Sequence, residues 1–220
     1  MNRDLDGPSG RQTRKLTEEL HRSPDETATQ LWDSYGIDSD ILPFTHDFPR
    51  ADIHEMLTPD LLHQVIKGSF KDHLVTWVGE YLALEHGEKR ADEILDDIDR
   101  RIAAAPFFPG LWRFPHGRRF KQWTGDDSKA LMKVYLLAIQ GHVPDEMVQT
   151  ISAFLDFCYL VRQADITEDT LKTMDNALQH FYLHWEVFRE TGVRPTGFLL
   201  PCQHALSHYR NLIEEYGAPG

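Results

Sequence analysis

Two pairs of polar residues could do chemistry together because each pair shares one face of a helix. Asp60 and His63 are three residues apart in "TPDLLHQV", and His204 and His208 are four residues apart in "CQHALSHY". Residues at these spacings are neighbours on a helix surface. Two imidazoles four residues apart are also a usual way for a helix to offer two ligands to zinc. Cys202, two residues before His204, is a nearby thiolate candidate for the same ion.

Each spacing also has an ordinary structural explanation. An aspartate in the first turn of a helix is favourable for the helix dipole whatever the function, so Asp60 and His63 can be a plain side-chain pair. His180 and His184 repeat the four-residue spacing, but they stand among Phe181, Tyr182 and Trp185. That pattern favours an amphipathic helix whose histidines flank a buried aromatic stripe.

One segment combines cations with aromatic rings, "LWRFPHGRRFKQWTGDD". Its cations could contact phosphate while a ring stacks on a base. The alternative is a loop fixed by buried rings, whose cations pair with Asp126, Asp127 and the acidic surface. The net charge of −12 favours the alternative, since such a surface repels nucleic acid. The candidate nucleic-acid residues are Arg113, Arg118, Arg119, Lys121 and Trp123.

The composition narrows the class of protein. A chain of 220 residues with 41% hydrophobic residues can build a sizeable core. The cysteines, Cys158 and Cys202, form no disulfide framework and no CxxC zinc motif. The first residues lack the apolar stretch of a signal peptide, and no apolar run reaches the length of a membrane span. We therefore expect an intracellular protein, nuclear or cytoplasmic, that is not secreted and does not enter a membrane.

Helical periodicity predicts an all-α fold of about six helices in one domain, residues 23–220, after a mobile polar tail at 1–22. Ser23 and Pro24 begin one helix that should end at Gly36, and Thr58 and Pro59 begin another that runs to Gly87 with a bend near Gly68. A long extended segment is expected near 37–57, and prolines and glycines predict a loop near 106–124. Residues 88–105 place apolar side chains on one face. Further helices are expected near 126–140, 144–163, 167–191 and 201–216, with Gly141, Gly192 and Gly217 closing three of them.

With these elements in place, long blocks of the chain between about residues 30 and 219 resemble Plavaka-type transposases of fungal DNA transposons. Examples are "LWDSYGIDSDILPFTHDFPRADIHEMLTPDLLHQVIKGSF", "AFLDFCYLVR" and "LPCQHALSHYRNLIEEYGAP". The resemblance implies an RNase H-like core with three metal-binding carboxylates, and a helical insertion with an Asp/Cys-x-x-His motif. Asp60-x-x-His63 fits that motif. The resemblance places two catalytic aspartates before these 220 residues and a catalytic glutamate after them.

The resemblance therefore predicts a transposase remnant that is catalytically incompetent alone and is at most a helical binding module. The alternatives are a fragment that complements a separate transposase core, and a DNA-binding or regulatory protein that acts through the loop at 112–123. In related recombinases a CxxC pairs with two histidines to hold zinc, and His204 and His208 resemble the histidine half. No bound zinc is expected here, because that CxxC is missing; zinc on those histidines and Cys202 is the alternative.

The expected partner is a second copy of the chain or a transposase core, bound through apolar surface that the missing core would otherwise cover. DNA is the disfavoured partner because of the net charge. The side chains expected on this exposed surface come from two segments: Ile41, Leu42, Phe44 and Phe48, and Phe198, Leu199 and Leu200.

Overall fold

The computed structural model describes Phe48 and residues 60–106, 111, 113–118, 123–198 and 200–219. The expected tail at 1–22, the helix expected from Ser23 to Gly36 and, apart from Phe48, the extended segment expected at 37–57 lie outside these residues. The helices described below belong to one compact unit, Pro59–Gly220.

The prediction of an all-α fold is confirmed, since the described residues are mostly helical and contain no strand. None of the helices in this part of the chain is long and apolar enough to cross a membrane. In chain order the helices are α1 (Leu61–Val75), α2 (Thr76–His86), α3 (Glu88–Ala103), α4 (Gly125–Met132), α5 (Tyr135–Ile139), α6 (Asp145–Leu160), α7 (Glu168–His184), α8 (Val187–Glu190), α9 (Pro201–Leu206) and α10 (Tyr209–Tyr216).

Three of the predicted helices are each divided into two shorter ones, and the helix expected to run to Gly87 comprises both α1 and α2, so the described residues hold more helices than expected. The divisions fall between α4 and α5, between α7 and α8, and between α9 and α10. At each division the backbone makes tight i→i+3 hydrogen bonds, such as Val134 N to Leu131 O at 3.0 Å, Phe188 N to Trp185 O at 2.9 Å and Ser207 N to His204 O at 3.1 Å. Such 3₁₀ turns change the direction of the chain without a glycine or proline, so composition gives no sign of them.

Helix α1 is a π-helix that continues directly into the α-helix α2. Hydrogen bonds from residue i to residue i+5 widen each turn to roughly four to five residues. The apolar side chains of α1 recur at that interval, so the pattern looks interrupted when it is compared with an α-helix. They are Leu61 and Leu62, Val65 and Ile66, Phe70, and Leu74 and Val75; those from Val65 onward are buried.

The core forms where α1 meets α2, α4, α6 and α9, and where α6 and α7 pair as a helical hairpin. Phe70 of α1 meets Tyr135 of α5 edge to face, with ring centroids 5.7 Å apart. Phe154 of α6 contacts Phe181 of α7 at 5.3 Å. Helix α3 has the predicted amphipathic character, since Ala91, Ile94, Ile98 and Ile102 are buried.

The expected exposure of the segment around Phe198 is wrong. Phe198 is 8% exposed and stacks on Trp185 at a centroid distance of 4.1 Å. Leu200 is half-buried against the core. This segment therefore contributes to the core rather than to an exposed apolar face. Phe48, from the other expected segment, is 57% exposed; Ile41, Leu42, Phe44 and Leu199 lie outside the described residues.

At Gly68, α1 approaches α9 closely. A Cβ placed on Gly68 would lie 2.7 Å from Sγ of Cys202 and 2.6 Å from the carbonyl oxygen of His63. Both distances are far below an ordinary van der Waals contact. The glycine is needed because the neighbouring helix occupies the space of a side chain.

Replacing Gly68 by alanine should therefore destabilise the protein by about 1–3 kcal/mol, since overpacking outweighs the better helix propensity of alanine. Gly79→Ala is the matched control: Gly79 lies within α2, and a Cβ on Gly79 would meet no packing neighbour within 4 Å. That variant should be as stable as the wild type or up to about 1 kcal/mol more stable. Urea unfolding of both variants measures the difference, and a Gly68→Ala protein as stable as Gly79→Ala would contradict the close approach.

Candidate functional site

Asp60 is the N-cap of α1, so the helix begins there and not with Thr58 and Pro59 as cap and first residue. Its backbone is extended, with φ −94° and ψ 101°. Its Oδ1 accepts hydrogen bonds from the backbone N–H groups of Leu62 and His63, both at 2.9 Å. The backbone N–H of Asp60 donates in return to Oε1 of Gln64 at 3.3 Å. These bonds satisfy N–H groups that the first turn of a helix leaves without partners.

The second carboxylate oxygen of Asp60 pairs with His63. Its Oδ2 lies 2.6 Å from Nδ1 of His63, and both side chains are exposed. The hydrogen bond from the backbone N–H of His63 is the main cause that lowers the pKa of Asp60. Because a carboxylate only accepts, Nδ1 carries the proton, which leaves Nε2 of His63 as the nitrogen able to accept a proton or a metal. Both oxygens of Asp60 are thus used within its own turn.

The end of α1 that carries Asp60 lies near the junction of α9 and α10. Burial raises the pKa of Tyr209, and the negative charge of the Asp60 carboxylate acts in the same direction. Further along α1, Gly68 lies against Cys202. The Asp-x-x-His turn and the histidine pair therefore lie on neighbouring helices. In the part of the chain that the structure describes, however, no three His, Cys, Asp or Glu side chains group closely enough to hold a metal ion.

His204 and His208 do come together. Their Nε2 atoms are 3.0 Å apart, so one imidazole donates a hydrogen bond to the other. Burial, together with the charge of His204, lowers the pKa of His208. Two nitrogens bound to one tetrahedral zinc are about 3.3 Å apart, so the pair is arranged much as two zinc ligands would be. Cys202, the third predicted ligand, has its Sγ against Gly68, and burial raises the pKa of its thiol.

His180 and His184 lie where the favoured interpretation of the sequence puts them, beside the buried aromatic stripe of an amphipathic helix. His180 is exposed and His184 is half-buried on α7. Their ring centroids are 6.3 Å apart. Phe181 and Trp185 carry the buried stripe of the same stretch of chain.

The structure describes part of the basic-aromatic segment, including Arg118, which pairs with Asp99. Nε of Arg118 and its backbone N–H donate to Oδ1 of Asp99 at 2.9 and 2.8 Å. Both side chains are largely buried, at 16% and 11% exposed. Gly117 has φ +60°, and a Cβ on it would lie 2.4 Å from that of Asp99. Arg118 therefore fixes the loop to α3 and offers little surface to a ligand.

The other described residues of this segment are distributed between the surface and the core. Phe114 is buried, and Arg113 is exposed. Nζ of Lys71 lies 5.7 Å from the ring centroid of half-buried Trp123. Arg119 and Lys121 lie outside the described residues.

Of the described cations of this segment, Arg118 pairs with Asp99 and not with Asp126 or Asp127. These two aspartates bond at the start of α4. Asp127 forms a capping box with Thr124, whose Oγ1 donates to it at 2.6 Å. Asp126 lies 3.6 Å from Nζ of Lys129.

Comparison with known proteins supports part of the resemblance seen in the sequence. A family model described as Plavaka transposase matches residues 1–78. Residues 1–78 are a Plavaka-type transposase-related region. This Plavaka-related region includes Asp60 and His63 and all of α1, and it ends within α2. The histidine pair and the basic-aromatic segment lie beyond it. No curated protein matches the chain, and no solved structure matches it.

Asp60→Ala should destabilise the protein by about 1 kcal/mol, because two N–H groups lose their acceptor. Asp60→Ser is the matched control, since a hydroxyl oxygen also caps a helix, and most of the stability should remain. The native carboxylate has a lowered pKa. Its contribution is therefore present above pH 3.8 and is lost as the pH falls through the folded-state value.

Unfolding by urea at pH 7 and at pH 3 measures both effects. Asp60→Ala and wild type should differ less at pH 3. An Asp60→Ala protein with unchanged stability at pH 7 would show that the cap contributes nothing.

Proposed function

We propose that the helical unit of residues 60–219 is a transposase-derived binding module whose own side chains cleave no DNA. The observation that supports the proposal is that the candidate chemical groups already bond to neighbouring groups of the same chain. Both carboxylate oxygens of Asp60 bond within its own helical turn. Arg118 is held by Asp99, and His204 bonds to His208. These groups stabilise helices and loops, which is the role expected in a scaffold.

Cleavage of a phosphodiester by two metal ions requires several carboxylates around one point. The Plavaka-type resemblance assigns three such carboxylates to a core that is distinct from the helical insertion. Within the insertion, Asp60 is one exposed carboxylate bonded to its own histidine. A single carboxylate in that state is a poor ligand for two divalent ions. The proposal therefore assigns residues 60–219 to binding and leaves strand cleavage to a core.

A direct test is incubation of the purified chain with supercoiled DNA and Mg²⁺ or Mn²⁺. We expect no nicking above that of a matched preparation of the Asp60→Ala variant, because neither protein holds the metal ions. Nicking by the wild type that disappears in Asp60→Ala would overturn the proposal. A separately produced core fragment gives the second arm: cleavage that needs both polypeptides would favour the complementing-fragment alternative.

Binding to a DNA fragment at several salt concentrations tests the DNA-binding alternative. A protein that neutralises phosphates loses affinity steeply as salt rises. Saturable binding with that salt dependence, lost in the exposed-residue variant Arg113→Ala, would favour DNA binding through the basic-aromatic segment. Absence of such binding would favour a protein partner.

Purified protein should carry well under one zinc per chain. His204 and His208 already bond to each other, and structural zinc requires four protein ligands in most sites. Metal analysis after dialysis against zinc measures the stoichiometry. One zinc per chain that is lost in a His204→Ala/His208→Ala double variant would contradict this. His180→Ala/His184→Ala, at the same spacing on α7, is the control.

A further inference from the structure

A group of aromatic and polar residues lies where α1, α2 and α9 meet the segment after α7. His73 stacks on Trp77 at a centroid distance of 5.3 Å and an angle of 5°. The Trp77 ring contacts Phe198 at 5.9 Å, and Phe198 stacks on Trp185 at 4.1 Å. We call this group the aromatic-arginine cluster and define it as His73, Trp77, Trp185, Arg194, Phe198 and Gln203.

Gln203 and Arg194 join the aromatic rings from different segments of the chain. Nε2 of Gln203 lies 3.2 Å from Nδ1 of His73. Cζ of Arg194 lies 5.6 Å from the centroid of Trp77. Trp77, Trp185, Phe198 and Gln203 are buried, while His73 and Arg194 are half-buried and form the edge toward solvent.

Three polar atoms in this cluster are buried without a hydrogen-bond partner. They are Nε1 of Trp185, Nε of Arg194 and Oε1 of Gln203. Buried polar atoms are nearly always paired, and an unpaired one costs about 1–3 kcal/mol. Among the described residues only the hydroxyls of Tyr135 and Tyr209 share this condition. The three residues belong to one connected group: Arg194 lies over Trp77, Trp185 stacks on Phe198, and Gln203 contacts His73. Three unpaired buried atoms in one group point to a missing partner at this place.

Arg194 also differs from the other well-placed arginines in its charge partner. Arg118 pairs with Asp99, Arg189 with Glu186, and Arg210 with Asp175 and Glu214. No carboxylate of the described residues lies within ion-pair distance of Arg194, whose terminal nitrogen makes only a 3.4 Å contact with the carbonyl oxygen of Gly197.

A half-buried guanidinium normally has an anionic partner, since burying a lone charge is costly. The Nε–H and a terminal N–H of an arginine form a fork that binds a carboxylate by two parallel hydrogen bonds. In Arg194 this Nε–H is the buried atom without a partner.

We propose that the aromatic-arginine cluster binds a carboxylate group, held by the Arg194 fork and by the indole N–H of Trp185. Gln203 completes the site when its amide is turned, because the side-chain oxygen then accepts from Nδ1–H of His73 and the NH₂ group faces the ligand. The flat rings of Trp77 and Phe198 suit a planar group. This inference concerns a different place from the Asp60 turn and does not depend on the proposed function.

The charge of the site selects carboxylate over phosphate. Burial, reinforced by the charge of Arg194, lowers the pKa of His73. His73 therefore adds no full positive charge near neutral pH, and Asp72 beside it is paired with Lys71. Arg194 alone balances the single negative charge of a carboxylate. A phosphate group carries about −1.5 to −2 at pH 7 and would stay partly unneutralised.

The indole N–H signal of Trp185 in a ¹H–¹⁵N spectrum of the full chain is the direct probe. Trp185→Phe assigns that signal. Titration with sodium acetate at constant ionic strength should shift it in a saturable way, whereas inorganic phosphate should bind at least threefold more weakly. Absence of a saturable shift with acetate, or equal affinity for phosphate, would overturn the proposal.

Variants of two arginines separate this site from a general effect of charge. Arg194→Gln should weaken acetate binding at least tenfold. Arg189→Gln is the matched control. Cζ of Arg189 lies 5.5 Å from the ring centroid of Phe198, but Arg189 is already paired with Glu186. The affinity of this variant for acetate should stay within twofold of that of the wild type. An equal loss of acetate affinity in both variants would contradict a site at Arg194.

Gln203→Glu keeps the test decisive if Arg194→Gln does not fold. Gln203→Glu places a carboxylate of nearly the same shape within the aromatic-arginine cluster. In a carboxylate site, this side chain should replace acetate, so that acetate binding is lost and the thermal midpoint is no lower than that of wild type. Without such a site, a carboxylate at a position 1% exposed should lower the midpoint strongly. A large drop in the midpoint would therefore refute the proposal.

Discussion

The contact between α1 and α9 at Gly68 is the constraint on which most of the described structure depends. Cys202 lies where any side chain on residue 68 would have to be. This contact limits how closely α9 lies against α1, and α9 in turn carries Gln203 to His73. A larger residue at position 68 should therefore shift α9 and disturb the contact between Gln203 and His73. The absence of a side chain at Gly68 thus allows α9 to lie where Gln203 reaches His73.

The charge balance of the chain explains why most of its described arginines are paired within the protein. The chain carries 35 acidic and 23 basic residues, so cations are scarce and most described arginines find a carboxylate nearby. Arg118 illustrates the consequence, because its pairing with Asp99 is largely shielded from water. Breaking such a pair leaves a charge without compensation and costs several kcal/mol, about 3–5 by analogy with buried pairs. A guanidinium that is paired and shielded in this way is poorly placed to bind a DNA phosphate.

The sequence predicted well those helices whose faces and ends are determined by neighbouring residues in the chain. The apolar face of α3 follows from its 3.6-residue periodicity, and α2, α8 and α10 end at or beside Gly87, Gly192 and Gly217, all with positive φ. The π-helix α1 was missed because its apolar pairs recur at roughly four to five residues, an interval that is irregular for an α-helix. That interval is visible in the sequence and could have been found. The interruptions near Val134, Trp185 and Ser207 could not, since no glycine or proline marks them.

The contacts at the candidate sites also fall into two classes, those between residues close in sequence and those between distant residues. The Asp60–His63 and His204–His208 contacts join residues three and four apart, so helical spacing alone predicted them. Arg118 and Asp99 are 19 residues apart, and Gln203 and His73 are 130 apart. Contacts at such separations depend on how helices pack, and the sequence offered no spacing rule for them. The burial of Phe198 belongs to this second class, because its partners Trp77 and Trp185 come from distant segments.

The extent of the family match has a structural consequence for the helices that follow it. Residues 1–78 include all of α1, but the surfaces that cover α1 belong to α4, α6 and α9, which lie beyond residue 78. A helix with buried Phe70, Leu74 and Val75 cannot keep these side chains from water alone, and burying each is worth about 1.5–3 kcal/mol. The α1 part of the Plavaka-related region therefore depends on helices that follow the matched residues. The position of the Asp60 turn, at the start of α1, is accordingly set by helices outside the matched region.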